Sequence, residues 1–332
     1  MTTPENQAFA EAALGAYDLP ASARPQLISL SENATFLVLS DEGPQGILRV
    51  YRADYQSIGA MLSELAWISK LRESHEVLTP GVIGTTSGEQ LLRVDVDGHI
   101  RACAMFEFVE GEQLGNDDMS TISLVGRTAA VLHNQVSEWT RPEWFERFTW
   151  NVEEILDAGA RWGDWRNGPG HTSEGREILE SAERKVRERL SSYPMGADNS
   201  GLVHCDLRDA NLMQDSSGKI WVIDFDDCGF SWFLFDLCST TTFIEHEPRV
   251  TNIVNAWLKG YREVRDLSPR DLNAIPDLVF LRRLHVLAWL GSHSDSDLAR
   301  ELGSSYTEST YDVARSYLNG TFLVDVKALT NG

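Results

Sequence analysis

Two stretches near the middle of the chain decide its fold: HCDLRDANLM, from His204 to Met213, and IDFDD, from Ile223 to Asp227. The first follows the apolar run GLV and sets a carboxylate (Asp206), a guanidinium (Arg208) and an amide (Asn211) on one predicted loop. Between the two stretches QDSSGK reads as a turn, because Asp, Ser and Gly favour turn conformations. The β-favouring IWVIDF then returns as the second strand of a hairpin and carries Asp224 at its end. On this reading loop and strand end lie side by side, and Asp206, Asn211 and Asp224 converge on one volume.

Such a group suits phosphoryl transfer, where catalysis is mostly positioning and charge neutralisation. Magnesium takes hard oxygen ligands, few of them from protein and the rest from phosphate and water. Asp224 and the amide oxygen of Asn211 fit that role. Asp206 is placed to orient an acceptor hydroxyl and take its proton. Arg208 is placed to offset negative charge developing on the transferred group.

HCDLRDAN resembles the H-x-D-x-x-x-x-N catalytic loop of the protein-kinase-like fold, and IDFDD occupies the place of its D-F-G. The closer resemblance is to the aminoglycoside phosphotransferase/choline kinase-like family, in which a similar loop is followed by IDFDD and then a segment like CGFSWFLFDLCS. The resemblance covers most of the chain in element order, with its sharp motifs between His204 and Asp236. It implies an α+β, two-lobed protein-kinase-like fold: an N-terminal antiparallel sheet with one helix, and a larger, mostly helical C-terminal lobe. It implies Asp206 as catalytic base, Asn211 and Asp224 as magnesium ligands, Asp226 as a further carboxylate near the metal, and Asp236 as a brace for the catalytic loop. Arg49, in ILRV, stands where the family presents a lysine to the nucleotide phosphates, and Glu64 stands where its pairing glutamate lies. FEFVEG resembles the segment that reads adenine through the main chain, which implies the Glu107 carbonyl and the Val109 amide, with Phe106 behind the base. SLSENATF lacks the G-x-G-x-x-G of protein kinases, so phosphate contacts fall to Ser31, Asn33, Thr35 or backbone amides.

Working outward, the first third alternates as strands do. ATFLVLS and GILRVYR are joined by the turn-rich DEGPQG; GVIGTT, QLLRVDVDG and HIRACAMFEFV follow as further strands. Between them SIGAMLSELAWISKLRES repeats its apolar residues at helical spacing. From EGEQL onward MSTISLVGRTAAVLHNQV, WFERFTWNVEEILDAGARW, GREILESAERKVRERLSSY, RVTNIVNAWLKGYREV, IPDLVFLRRLHVLAWLGSH and STYDVARSYLNGTFLVDV all read as helices. Two domains are therefore expected: 1–109, binding nucleotide, and 110–332, holding the catalytic loop and the acceptor.

The chain has 332 residues, enough for two lobes with a sizeable core. Its formal net charge of -21 argues against a nucleic-acid partner and favours a cationic small molecule. Cys103, Cys205, Cys228 and Cys238 are scattered without a C-x-x-C pair, which fits a reducing compartment. The opening MTTPENQAFAEAALG is acidic and does not read as a secretory signal, and no run reaches membrane-spanning length. A cytoplasmic protein without a membrane partner is the expectation, its oligomeric state open.

The expected function is transfer of the γ-phosphate of ATP, with GTP left open and Mg2+ as cofactor, to the hydroxyl of a small amine-bearing molecule. Aminoglycoside-like antibiotics, amino alcohols and hydroxy amino acids are the candidate acceptors. Glu245 with Glu247 would suit an ammonium group, and Trp289 a cation–π contact. His246, Arg282, Arg283, His285 and His293 lie in the same region; some of this set are expected to touch the acceptor, but each one singly, Glu245, Glu247 and Trp289 included, reads more simply as surface or core. Trp144, Phe148, Trp150, Trp162 and Trp165 read mostly as packing aromatics. A protein kinase, a binding-only pseudokinase and, on VIDFDD alone, a haloacid-dehalogenase-like phosphatase are the alternatives. Walker A, G-x-S-x-G and H-E-x-x-H patterns are absent.

Overall fold

The computed structural model of the protein describes residues 3–30, 33–115 and 118–326. The chain forms two compact units, and each is assembled from separated segments.

The first unit comprises Met1–Glu112, Thr140–Arg147 and Leu212–Asp226. Its main sheet is antiparallel in the order β1 (Arg24–Leu30), β2 (Ala34–Ser40), β3 (Gly43–Val50), β6 (His99–Phe106), β4 (Val82–Ile83), and β5 (Leu92–Val96) also pairs with β6. The β2–β3 connection is tighter than its sequence suggests. Ser40 pairs with Gly43, so only Asp41 and Glu42 form the turn, and Gly43 to Gly46 already belong to the strand. Alternation decides which face each strand residue serves. Phe36, Val38, Leu48 and Val50 are buried in a core completed by Phe9, Ala10 and Ala13 of α1 (Thr3–Leu14). Arg49, one residue out of phase with Leu48 and Val50, turns to the opposite face and meets α2 (Ile58–Ser74). The Ser57 side chain caps α2 through the Ala60 amide, and His75 ends it in the left-handed region with φ 57°. The sheet thus carries the expected α2 and a second helix, α1.

The same unit holds the hairpin of β9 (Leu212–Gln214) and β10 (Ile220–Val222), and β9 also pairs with the short β7 (Glu112–Gln113), where the chain leaves this unit. Leu212 faces Val222, so the chain enters the hairpin from Asn211 and leaves it for Asp224 at the same end. Arg147 donates to the Ala60 carbonyl and to Gln56 at 2.9 Å each, holding Thr140–Arg147 against α2 without regular structure. That is why the predicted helix WFERFTWNVEEILDAGARW yields only α4 (Val152–Leu156), which starts where Asn151 caps it.

The second unit comprises Gln113–Trp139, Phe148–Asn211 and Asp227–Gly332. It contains α3 (Met119–Glu138), α4, α5 (Ser173–Ser191), α6 (Phe235–Thr240), α7 (Val250–Arg262), α8 (Pro269–Ser292) and α9 (Asp297–Asn319). Within it β8 (Ser200–Val203) pairs with β11 (Gly229–Trp232), antiparallel, with Val203 opposite Gly229. The stretch from His204 to Met213 therefore starts from a strand anchored among helices.

Candidate active site

In the first unit the site is organised around one buried guanidinium. Arg49 Nη1 donates to Glu64 Oε1 at 2.6 Å, and Nη2 donates to Asp224 Oδ1 at 2.7 Å. Glu64 is fully buried, and the Tyr51 hydroxyl donates to its second oxygen at 3.3 Å. Burial opposes the charge on Arg49, but Glu64 and Asp224 outweigh it and keep the group firmly protonated. The Phe106 ring centroid lies 5.1 Å from the Arg49 guanidinium, within cation–π range. Asp224 follows β10 with φ at 61°, a left-handed backbone that Asp tolerates at a cost. Asp226 is buried; its carboxylate accepts from Gln56 Nε2 at 2.7 Å and lies 3.8 Å from Arg49. Burial, with Glu64 nearby, pushes the Asp226 carboxyl up to about 7.

Beyond Phe106, Glu107 ties back to Gly81: its amide donates to the Gly81 carbonyl at 2.8 Å and its carboxylate accepts from the Gly81 amide at 2.9 Å. Among the described residues no hydrogen bond engages the Glu107 carbonyl or the Val109 amide. Asn33 Oδ1 accepts from the Arg52 amide at 3.0 Å, closing the open end of the β2–β3 pair. Ser31 lies outside the described residues.

In the second unit the loop from His204 to Asn211 is held from below and from the side. Asp236 on α6 is fully buried; Oδ1 accepts from the Cys205 amide at 2.7 Å and Oδ2 from the His204 amide at 3.2 Å. That grip lets Cys205 hold φ at 66°, and it matches the bracing role that the resemblance implies for Asp236. His133 Nε2 lies 2.9 Å from Asp236 Oδ2 and Nδ1 lies 2.9 Å from the Tyr261 hydroxyl. A carboxylate only accepts, so Nε2 carries the proton and Tyr261 donates to Nδ1. Asp206 Oδ2 accepts from Arg208 Nε at 3.0 Å and from Asn211 Nδ2 at 2.7 Å, while Oδ1 accepts from Arg282 Nη2 at 3.0 Å. Burial would raise the Asp206 carboxyl, but Arg208 and Arg282 more than offset it and hold it below the usual carboxylate value.

The donor set suits magnesium in its chemistry. Asn211 spends its amide nitrogen on Asp206, which leaves Oδ1 as the atom for a cation, and Asp224 is a half-exposed carboxylate. Both are hard oxygen donors, and no cluster of three or more His, Cys, Asp or Glu that could hold a metal occurs among the described residues. Each is the kind of hard oxygen ligand that this ion takes alongside phosphate and water.

Sequence reasoning placed Arg282 in the acceptor region but gave it no tie to Asp206, because that partner lies 76 residues away and no local spacing marks it. Glu245 and Glu247 do not form an ammonium site. Glu245 is buried and bonded to Arg283, with Tyr306 as a second donor, and Glu247 is bonded to Arg249 at 2.6 Å. Trp150, Trp162 and Trp165 are core residues, whereas Trp144 is exposed.

Comparison with known proteins bears on the family and the fold. Residues 25–270 match the model of the phosphotransferase enzyme family. The chain is 39% identical to a solved microcompartment-associated aminopropanol kinase, with a TM-score of 0.88 over 97% of this chain and 99% of that one. It is 27% identical over 307 residues to amicoumacin kinase of Bacillus subtilis (strain 168), covering 88% of this chain and 86% of that protein. An amicoumacin kinase solved with AMP-PNP, Ca2+ and Ami shares the kinase-like fold at 21% identity, with a TM-score of 0.77. The chain belongs to the phosphotransferase enzyme family, and it is a small-molecule kinase that carries a phosphoryl group from ATP to an alcohol hydroxyl.

Proposed function

We propose that the acceptor is a small amino alcohol, and that the protein phosphorylates its hydroxyl in the cytoplasm. The observation that carries the acceptor class is the 39% identity, over nearly the full length of both chains, to an aminopropanol kinase. The net charge of -21 supports a cationic acceptor and disfavours nucleic acid. Four buried cysteines, none of them in a disulfide, suit a reducing compartment, and no helix among the described residues is long and apolar enough to cross a membrane.

The residue roles follow from the contacts. Asp206, kept ionised by Arg208 and Arg282, accepts a hydrogen bond from the acceptor hydroxyl, aligns its oxygen and takes the proton as the new O–P bond forms. Arg49, fixed by Glu64, binds nucleotide phosphate; the Glu107 carbonyl and Val109 amide bind the base; Asn33 supports the strand pair beside the phosphates. Arg208 compensates charge on the transferred group. Asn211 and Asp224 hold Mg2+, which when bound supplies charge neutralisation on the phosphate oxygens.

An ADP-release screen across aminopropanol, ethanolamine, choline and aminoglycosides tests this reading, run beside Asp206→Ala. Aminopropanol-dependent ADP release is expected, and Asp206→Ala should lower it by about two to four orders of magnitude while ATP still binds. Near-native turnover in Asp206→Ala would refute the assignment of the base. The amicoumacin kinase relative supports a second reading, an antibiotic acceptor, which the same screen with amicoumacin added decides.

A further inference from the structure

The Asp206 carboxylate can be counted lone pair by lone pair. Each carboxylate oxygen accepts about two hydrogen bonds. Oδ2 already accepts two, from Arg208 Nε and Asn211 Nδ2. Oδ1 accepts one, from Arg282 Nη2. An acceptor hydroxyl therefore has one place to bond, the remaining lone pair of Oδ1, next to Arg282.

The two arginines on Asp206 are not equivalent. Arg208 sits two residues along the same loop with 27% of its side chain exposed, so it moves with the carboxylate it bonds. Arg282 comes from α8, a helix of 24 residues, and is 3% exposed. Its Nε donates to Thr242 Oγ1 at 3.3 Å, and its guanidinium lies 5.4 Å from the Trp162 ring centroid and 5.8 Å from that of Phe235. Packing and hydrogen bonds thus fix the guanidinium from several directions. The side chain that fixes Oδ1 is anchored to the helical scaffold, not to the loop.

We infer that Arg282 is a positioning residue: it holds Oδ1 of Asp206 in the orientation that receives the acceptor hydroxyl. The inference rests on Asp206 being the base. Without Arg282 the carboxylate plane is set only by partners on its own loop, and Oδ1 is free to swing away from the line of transfer. Misplacement of about 1 Å at a reacting group costs on the order of a hundredfold in rate.

Steady-state kinetics of Arg282→Ala with MgATP and aminopropanol test it. The expected result is a kcat roughly a hundredfold lower, with KM for ATP changed less than about twofold, since ATP binding does not use the Asp206 orientation. Added guanidinium ion should restore part of kcat in Arg282→Ala and none in Asp206→Ala, which a purely structural role would not produce. An unchanged kcat, or a loss confined to KM for ATP, would overturn the inference. If Arg282→Ala does not fold, Arg282→Lys decides. One ammonium does not span Thr242 and Asp206 together, so kcat should drop about tenfold, the worth of one charge-assisted hydrogen bond; a wild-type rate would overturn the inference. Wild-type protein with no acceptor-dependent ADP release would overturn the functional reading and this inference with it. An active wild type with an unaffected Arg282→Ala would overturn this inference alone.

Discussion

A guanidinium at position 49 serves two carboxylates at once, Glu64 through Nη1 and Asp224 through Nη2. A lysine has a single terminal nitrogen on a flexible stem and keeps the charge without the fork. Arg49→Lys is therefore expected to weaken binding of a non-hydrolysable ATP analogue roughly tenfold, about one charge-assisted hydrogen bond, as calorimetry would measure. Unchanged affinity would mean that position 49 contributes charge alone. This pair was legible in the sequence only through the family resemblance, which sets a cation on a strand against a glutamate on the following helix; taken alone, each residue reads as an ordinary surface residue. Arg282 was not, since nothing near position 282 points to position 206. The partners of Glu245 were hidden for the same reason, Arg283 and Tyr306 lying 38 and 61 residues away.

At the scale of elements, α3 and α7 cross with their backbones nearly touching. A Cβ on Gly260 would stand 1.7 Å from the Ser123 carbonyl oxygen, and one on Gly126 would stand 2.0 Å from that of Trp257. Both obstructions are backbone, so no side-chain rotation relieves them. Gly260→Ala is expected to destabilise the protein by about 3 kcal/mol in urea unfolding, the upper range for overpacking. A loss below half of that would show that the two helices separate readily. The crossing bears on the proposed site because α3 carries His133 and α7 carries Tyr261, which together support Asp236 under the loop that holds Asp206.

The same scale shows which elements pattern reveals. The periodic α2, α3, α5 and α7 were readable. By contrast α1 buries Ala10 and Ala13 beside Phe9, residues too small to mark a face, and β1 is an edge strand with a single buried residue, Pro25. The α8 helix starts six residues earlier than IPDLVF suggests. Ser268 and Asp271 form its capping box, Pro269 fits the first turn, and Pro276 is tolerated inside.

For the whole molecule, acid stability turns on buried imidazoles. Burial holds the His133 ring below its ordinary value despite Asp236 beside it, and holds His285 far lower. Both are neutral in the fold. Above about pH 6.5 neither contributes, because the unfolded chain is neutral there too. As pH falls below that point the unfolded state binds protons that the folded state refuses. Each such imidazole then removes about 1.4 kcal/mol of stability per pH unit until its folded pKa is reached. Relief of repulsion in a chain of net charge -21 does not cancel this early, since ordinary carboxylates titrate near 4. Asp226, raised to about 7, works in the opposite sense because the folded state holds its proton more tightly. Comparison with a variant isolates one imidazole from these opposing groups. His133→Gln retains a donor toward Asp236 and cannot titrate, so its urea-unfolding free energy should fall less steeply than the wild type's between pH 6.5 and 5.5. The gap should reach at most about 1 kcal/mol over that unit, because the unfolded imidazole goes there from half to about nine-tenths protonated. Parallel curves would show that His133 is protonated in the fold, and the hydrogen bond from Tyr261 to Nδ1 would then be wrongly assigned.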